Sequence, residues 1–220
     1  MVTKTKRKIQ ICVDVLMTCV LLLLMSYSIA GELLHEILGI TLFALFIVHH
    51  VLSASFTKAL FKGKRSADKT AKIMVDLLLT VVVLAQLLSA VPLSKYLFTF
   101  LGIASLSSVS RTVHLLGGYW GFALMSLHIG FHLDFMLAKP MRDKKKRAGI
   151  ITVMALLFAA GLVMFIREGI YQYMLLLSQF VYFDAAGGLP LFLVKYILIL
   201  CMFAVIGYAV MALCKNKKRR

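Results

Sequence analysis

Six apolar segments alternate with short polar ones along the chain, and each is long enough to cross a membrane as a helix. They cover residues 9–29, 33–55, 72–91, 112–137, 148–167 and 190–213. A hydrocarbon core of about 30 Å needs roughly 20 apolar residues in helical form. Backbone groups that face lipid must be paired within their own segment, which excludes an open sheet. The pattern therefore predicts an all-α integral membrane protein with six transmembrane helices.

The first four predicted spans form two copies of one helical hairpin. The segment VDVLMTCVLL (13–22) aligns without gaps on VDLLLTVVVL (75–84). In the same way, HEILGITLFALFIVH (35–49) aligns on HLLGGYWGFALMSLH (114–128). A tandem repeat indicates one structural unit used twice. We therefore expect spans 1–4 to form a four-helix bundle made of two hairpins that cross in the same direction.

Composition and charge support the membrane class and predict an orientation. The 220 residues are 61% hydrophobic with a net charge of +16, and the mean hydropathy is +0.93. Of the 25 Lys and Arg residues, 21 lie at the two termini or in and beside the joints after spans 2 and 4, and the other four lie in or near the remaining joints. The positive-inside rule therefore predicts a multi-pass protein with both termini in the cytoplasm. This charge suits anionic lipid, so a bilayer is expected as partner and nucleic acid is not.

The domain prediction follows from the repeat. Residues 1–137 are expected to form the four-helix core. Residues 138–220 are expected to add two transmembrane helices and a basic cytoplasmic tail.

Four of the six histidines form two equally spaced pairs on spans 2 and 4. His35 and His49 are 14 residues apart, as are His114 and His128. This spacing leaves the two side chains of a pair about 40° apart in azimuth and about 21 Å apart along the axis. His35 and His114 thus share an outer level, and His49 and His128 share an inner level. Matched imidazoles at two depths predict two haem b groups, each with one axial histidine from each helix.

Other interpretations of the histidines stay open. His50 and His132 could replace His49 and His128 as inner ligands, although their levels match less well. A lone transmembrane histidine can also serve only as an interhelical hydrogen-bonding group. A zinc site would need three or four converging ligands, whereas two lie at each level.

Small and charged residues near the histidines fit the same hypothesis. Gly39, Gly118 and Gly121 would leave room for a macrocycle between helices, and close helix packing is the alternative. Arg111, near the start of span 4, is a candidate partner for haem propionates or an interfacial anchor. The repeat-related Asp14 and Asp76 are expected to pair with a basic flanking residue, and quinone proton handling is the alternative.

The repeated VDVLMT and VDLLLT openings and the two HxxxG…H spans resemble the flavinylation-associated cytochrome family over about residues 9–137. These are small cytochrome b-like proteins of the bacterial cytoplasmic membrane. The resemblance implies electron transfer between quinone, or a cytoplasmic donor, and extracytoplasmic flavoproteins that carry covalent FMN. The chain has no FMN-attachment motif that we recognise, so FMN is expected only on a partner. The same spacing also resembles quinol-oxidising cytochrome b and ferric reductases.

The functional expectation is therefore an electron-transfer cytochrome, or the membrane subunit of an oxidoreductase, with two haem b groups, a possible quinone and no catalytic residue of its own. Two alternatives remain. One is a ferric-reductase-like membrane subunit. The other is a haem-free transporter or membrane scaffold whose histidines handle protons or metal ions.

Overall fold

The computed structural model describes residues 4–61, 66–103, 107–138, 140–178 and 187–219. Within these ranges the chain is helical and contains no strand. Its α-helices are α1 (Lys4–Met25), α2 (Tyr27–Ala30), α3 (Glu32–Phe61), α4 (Ala67–Leu93), α5 (Ser107–Leu137), α6 (Lys144–Arg167), α7 (Ile170–Met174) and α8 (Gly188–Arg219). Two 3₁₀ turns, Thr99–Leu101 and Pro140–Arg142, lie in the joints. Residues 62–65 and 139 of the predicted basic joints, and residue 220 of the tail, lie outside the described residues.

Five of these helices are long and apolar enough to cross a membrane, namely α1, α3, α4, α6 and α8. This confirms the prediction of an all-α protein with the character of a multi-pass membrane protein. Helix α5 has 31 residues and is therefore about 46 Å long, but it is not among the five. The prediction of a sixth span, which α5 would supply, stays a prediction.

Local signals set several of the helix ends. Gly31 has a φ of +81°, which glycine adopts without strain, and it reverses the chain between α2 and α3. Asp143 caps α6, because its Oδ1 accepts the backbone N–H groups of Lys145 and Lys146 at 2.9 and 3.3 Å. Pro92 lies in the last turn of α4, where its missing N–H and its ring prevent the helix from continuing far.

The long helices pack in two groups. Helices α1 and α3 pack mainly on each other, whereas α5 packs extensively on both α4 and α8, with α6 against α8. The α5–α8 crossing is very close, since a Cβ added at Gly130 would overlap the carbonyl oxygen of Ala204, and one at Gly207 would overlap that of Leu127. Small residues permit such close approach of two helices. The packing thus continues across the predicted boundary at residue 137, and α8 supports the helix that carries His114.

Helix α3 is the most loosely packed of the long helices. No residue of α3 whose burial is described is fully buried, and the helix makes little backbone contact with α5. The buried core lies instead around α5, α7 and α8, with Phe122, Ile170 and Ile199 at its centre. Side chains rather than backbones therefore connect α3 with α5.

Candidate functional site

The outer pair of histidines meets between α3 and α5. The ring centres of His35 and His114 lie 6.0 Å apart, with an angle of 69° between the ring planes. Because the two helices make little backbone contact there, the two imidazoles reach towards each other across the space between the hairpins. The structure thus brings together the outer pair that the 14-residue spacing predicted.

The second ring nitrogens of the outer pair have different surroundings. His114 Nδ1 lies 3.2 Å from Ser89 Oγ, and Ser89 Oγ itself donates to the carbonyl oxygen of Gln86 at 3.1 Å. In the tautomer that carries the proton on Nδ1, Ser89 accepts the Nδ1–H of His114 and the lone pair of this imidazole lies on Nε2. His35 Nδ1 is buried and has no hydrogen-bond partner. A buried polar atom without a partner is costly, and coordination to a metal ion would remove that cost.

Each inner histidine is held by an aspartate of its own hairpin. His49 Nδ1 lies 2.7 Å from Asp14 Oδ1, and His128 Nδ1 lies 2.9 Å from Asp76 Oδ1. A carboxylate can only accept, so Nδ1 carries the proton and donates it, and Nε2 keeps a free lone pair. Carboxylates that bond histidines in this way are known to orient metal-binding imidazoles. The inner histidines are therefore held in the tautomer that suits a metal ligand.

These contacts correct the expected role of the aspartates. We expected basic flanking partners for both carboxylates, and the partners found for them are histidines. Asp14 lies 17 residues before Gly31 and His49 lies 18 residues after it, so the antiparallel hairpin places both at one depth. The repeat then gives Asp76 and His128 the same contact. Equal distance from the turn is the sequence signal that could have found this pairing.

The two remaining histidines lie beside the inner level. His50 Nδ1 donates to the carbonyl oxygen of Phe46 at 3.0 Å, one turn back on the same helix, and the side of α3 that carries it is exposed. The ring of His132 lies 4.7 Å from that of His128. In the described part of the chain, the ring contacts of His49 and His128 are with these neighbours and not with each other. The structure thus brings the rings of the outer pair into contact, whereas each inner histidine contacts an aspartate of its own hairpin.

The three candidate glycines divide into two groups. A Cβ added at Gly39 would meet nothing within 4 Å, so this position borders open space. Gly118 and Gly121 face α4 instead, where an added Cβ would lie 3.3 Å from Gln86 Nε2 and 3.1 Å from Val82 Cγ1, respectively. Close packing of helices thus accounts for Gly118 and Gly121. A role of the three candidate glycines in haem packing stays a prediction.

A carboxylate next to the outer histidine of α3 ties the two hairpins together. Glu36 accepts hydrogen bonds from Ser94 Oγ at 2.8 Å and from the backbone N–H groups of Lys95 and Leu97 at 2.7 and 3.0 Å. Glu32, one turn earlier, forms an ion pair with Lys95. The hydrogen bond from Lys95 to Glu32 raises the pKa of the lysine. The segment after α4 is therefore fixed to the start of α3 at the outer level.

Tyr27 covers the outer level from α2. Its ring centre lies 5.1 Å from that of His35, and its hydroxyl donates to Glu32 at 3.2 Å. Burial and then the charge of Glu32 raise the pKa of Tyr27, while the charges of Lys95 and Arg111 act in the opposite direction. Arg111 is exposed at this end of the bundle. Its cationic side chain is thus close to the outer site, and its contact with a propionate stays a prediction.

The candidate ligand histidines of the described chain lie in twos and not in larger groups of metal-binding side chains. Among the described residues, no three or more His, Cys, Asp or Glu side chains are grouped to hold a metal ion, whereas a zinc site uses three or four. Haem iron takes two axial ligands. The rings of His35 and His114, with centres 6.0 Å apart and planes at 69°, make an edge-on aromatic contact. Iron between them stays a prediction.

Comparison of the chain with protein-family models, with curated proteins and with solved structures finds no match in any of the three. The chemistry of the site itself must therefore carry the functional argument.

Proposed function

We propose that this protein transfers electrons across a bacterial cytoplasmic membrane through two b haems, with six spans and both termini in the cytoplasm. His35 and His114 would hold the iron of the outer haem, and His49 and His128 would hold that of the inner haem. One observation carries the proposal. Three of the four imidazoles have Nδ1 within hydrogen-bond distance of a side-chain oxygen on the other helix of their hairpin, an arrangement that would leave Nε2 available to iron.

The spacing of the two levels suits passage across a bilayer. Each pair of histidines on one helix is separated by 14 residues, or about 21 Å along the axis. Two relays at this separation divide a hydrocarbon core of about 30 Å into short steps. When bound, haem iron accepts and releases one electron at a time. The chain's own residues would hold the imidazoles at two depths, and the two aspartates that bond histidines both lie at the inner level.

The donor and the acceptor follow from the resemblance to the flavinylation-associated cytochromes. The donor is a quinol or a cytoplasmic reductant, and the acceptor is an extracytoplasmic flavoprotein that carries its own FMN. Five apolar helices support the bilayer as the environment. The exposed Arg111 at the outer end offers positive charge to an acidic docking partner.

A visible spectrum of the purified protein tests the proposal. Protein from haem-replete cells should give b-type bands on reduction with dithionite, and a pyridine haemochrome assay should give two haems per chain. His49→Ala should lose one haem, whereas the matched variant His50→Ala should keep both. A colourless protein would refute electron transfer and favour the haem-free transporter. Loss of a haem from the His50 variant alone would refute the inner ligand assignment.

A further inference from the structure

The two levels of the bundle differ in the hydrogen-bond partners of their candidate ligand histidines. At the inner level, both imidazoles donate to carboxylates, Asp14 and Asp76, at 2.7 and 2.9 Å. At the outer level, Nδ1 of His114 lies 3.2 Å from the neutral hydroxyl of Ser89, and the hydrogen-bond partner of His35 is the backbone carbonyl of Leu24. The inner level therefore has two anionic acceptors in contact with its ligands, and the outer level has none.

The outer level does have carboxylates nearby, but they are occupied elsewhere. Glu32 forms its ion pair with Lys95. Glu36 accepts from Ser94 and from backbone N–H groups of the segment after α4. Their negative charge is thus offset by donors and by a cation, and neither bonds an imidazole in the contacts described. The difference between the levels is therefore a difference in hydrogen bonding to the ligands and not only in the number of acidic residues.

A carboxylate behind an axial imidazole has a known direction of effect. It draws the Nδ1 proton towards itself, which makes Nε2 a stronger electron donor to the metal. Stronger donation stabilises the oxidised, more positive state of iron, and hydrogen bonding around the ligands is one of the protein's means of setting the potential. The negative charge also opposes the addition of an electron directly. Both effects lower the reduction potential of the level that has the carboxylates.

We propose that Asp14 and Asp76 are positioning residues that keep the His49/His128 level at a lower reduction potential than the His35/His114 level, and so direct electrons outward. The inference rests on the proposed function. One electron then passes from the inner level, which is oxidised, to the outer level, which is reduced, and no bond is made or broken. The quinol or cytoplasmic reductant restores the inner level, and the extracytoplasmic flavoprotein oxidises the outer one.

The test is a potentiometric titration of haem-loaded protein in lipid nanodiscs. Asp14→Asn and Asp76→Asn keep an oxygen that can accept the Nδ1–H but remove the charge. Asp143→Asn is the matched control, because Asp143 caps α6 through backbone N–H groups and asparagine caps about as well as aspartate. Each variant is also titrated in a His35→Ala background, where the remaining haem is the inner one and gives a single step.

The wild-type protein should titrate in two steps, with the inner haem at the lower potential. Each Asn variant should move the inner step to a higher potential and leave the outer step in place, and the control should move neither. Selective loss of the inner haem in an Asn variant also supports a positioning role at that level. An inner step that stays where it is in both variants, or a wild-type order with the outer haem lower, overturns the inference while leaving haem binding intact. Absence of haem from the wild type instead overturns the proposed function.

Discussion

The contact between Glu36 and the segment after α4 should be the strongest polar tie between the two hairpins at the outer level. Its two carboxylate oxygens accept bonds from Ser94 Oγ and from backbone N–H groups of Lys95, Tyr96 and Leu97. Glu36→Gln replaces one of these oxygens by an NH₂ group, which cannot accept. The variant therefore loses the bonds of one oxygen and the charge that strengthens the others.

The magnitude follows from the bonds lost. Two hydrogen bonds to a charged acceptor contribute about 3 kcal/mol together at the lower end of the usual range. Because the Glu36 side chain is partly exposed, water replaces part of the lost hydrogen bonding. We therefore expect the variant to lose about 2 kcal/mol of local stability. Since 1.4 kcal/mol corresponds to a factor of ten, local opening of the segment should become about thirtyfold more frequent.

Amide hydrogen exchange measures this opening directly. In nanodiscs, a peptide covering residues 94–98 should exchange about thirtyfold faster in Glu36→Gln. The matched control is Glu32→Gln, which removes a carboxylate of the same helix that contacts the same segment through the exposed side chain of Lys95. An exposed ion pair contributes little, so its exchange should change only slightly. Equal exchange in the two variants, or no change in Glu36→Gln, would refute the reasoning.

Three further predictions concern the histidines and the helix crossings. His35→Ala or His114→Ala should each remove one haem and spare the other, as measured by haem content per chain; loss of neither would contradict the pairing. Ser89→Ala should weaken haem retention at the outer level by about tenfold, because partners of metal-binding histidines have effects of this size, and haem loss to apomyoglobin would measure it. Gly130→Ala should lower the free energy of unfolding by about 1–3 kcal/mol through overpacking against α8. Gly149→Ala, in α6, meets no atom within 4 Å and should cost nothing in an SDS titration, and equal losses in both would contradict the α5–α8 crossing.

Hydropathy predicted where helices lie better than where they end. The predicted span 33–55 corresponds to α3, which continues to Phe61. The predicted span 9–29 corresponds to α1 and α2, and α1 already begins at Lys4. Hydropathy falls where the chain leaves the hydrocarbon, but Lys and other charged residues are good helix formers and continue the helix beyond that point. The break at Ser26 depends on a local turn that apolar periodicity does not reveal.

The sequence predicted the depth of each candidate histidine, because spacing along one helix determines depth. It did not predict the contacts between helices. The 14-residue interval places His35 and His114 at one level, and the structure brings their rings together. The tie through Glu36 joins residues about 60 positions apart in the chain, and no local pattern indicates such a contact. The orientation of Gly118 and Gly121 towards α4 was also hidden, because the repeat shows which positions are equivalent but not which neighbour each helix face meets.

The repeat relates contacts at both levels when its alignment is extended. Asp14 and Asp76 are equivalent positions, and each bonds the inner histidine of its hairpin. Continuing the same register places Tyr27 opposite Ser89. Tyr27 packs edge-on against His35 at 5.1 Å, and Ser89 bonds the outer histidine of the second hairpin. Equivalent positions thus keep equivalent contacts, but only at the inner level do they keep the same side chain.

The outer end diverges in charge as well. In the register that aligns His35 with His114, Glu32 is equivalent to Arg111. An acidic residue in one copy and a basic residue in the other make the outer level chemically asymmetric, whereas the inner level has two equal carboxylate–histidine contacts. The repeat relates the two histidines of one level to each other and does not relate the inner level to the outer one. The proposed difference in reduction potential therefore depends on the different partners at the two depths, aspartates at one and a hydroxyl at the other.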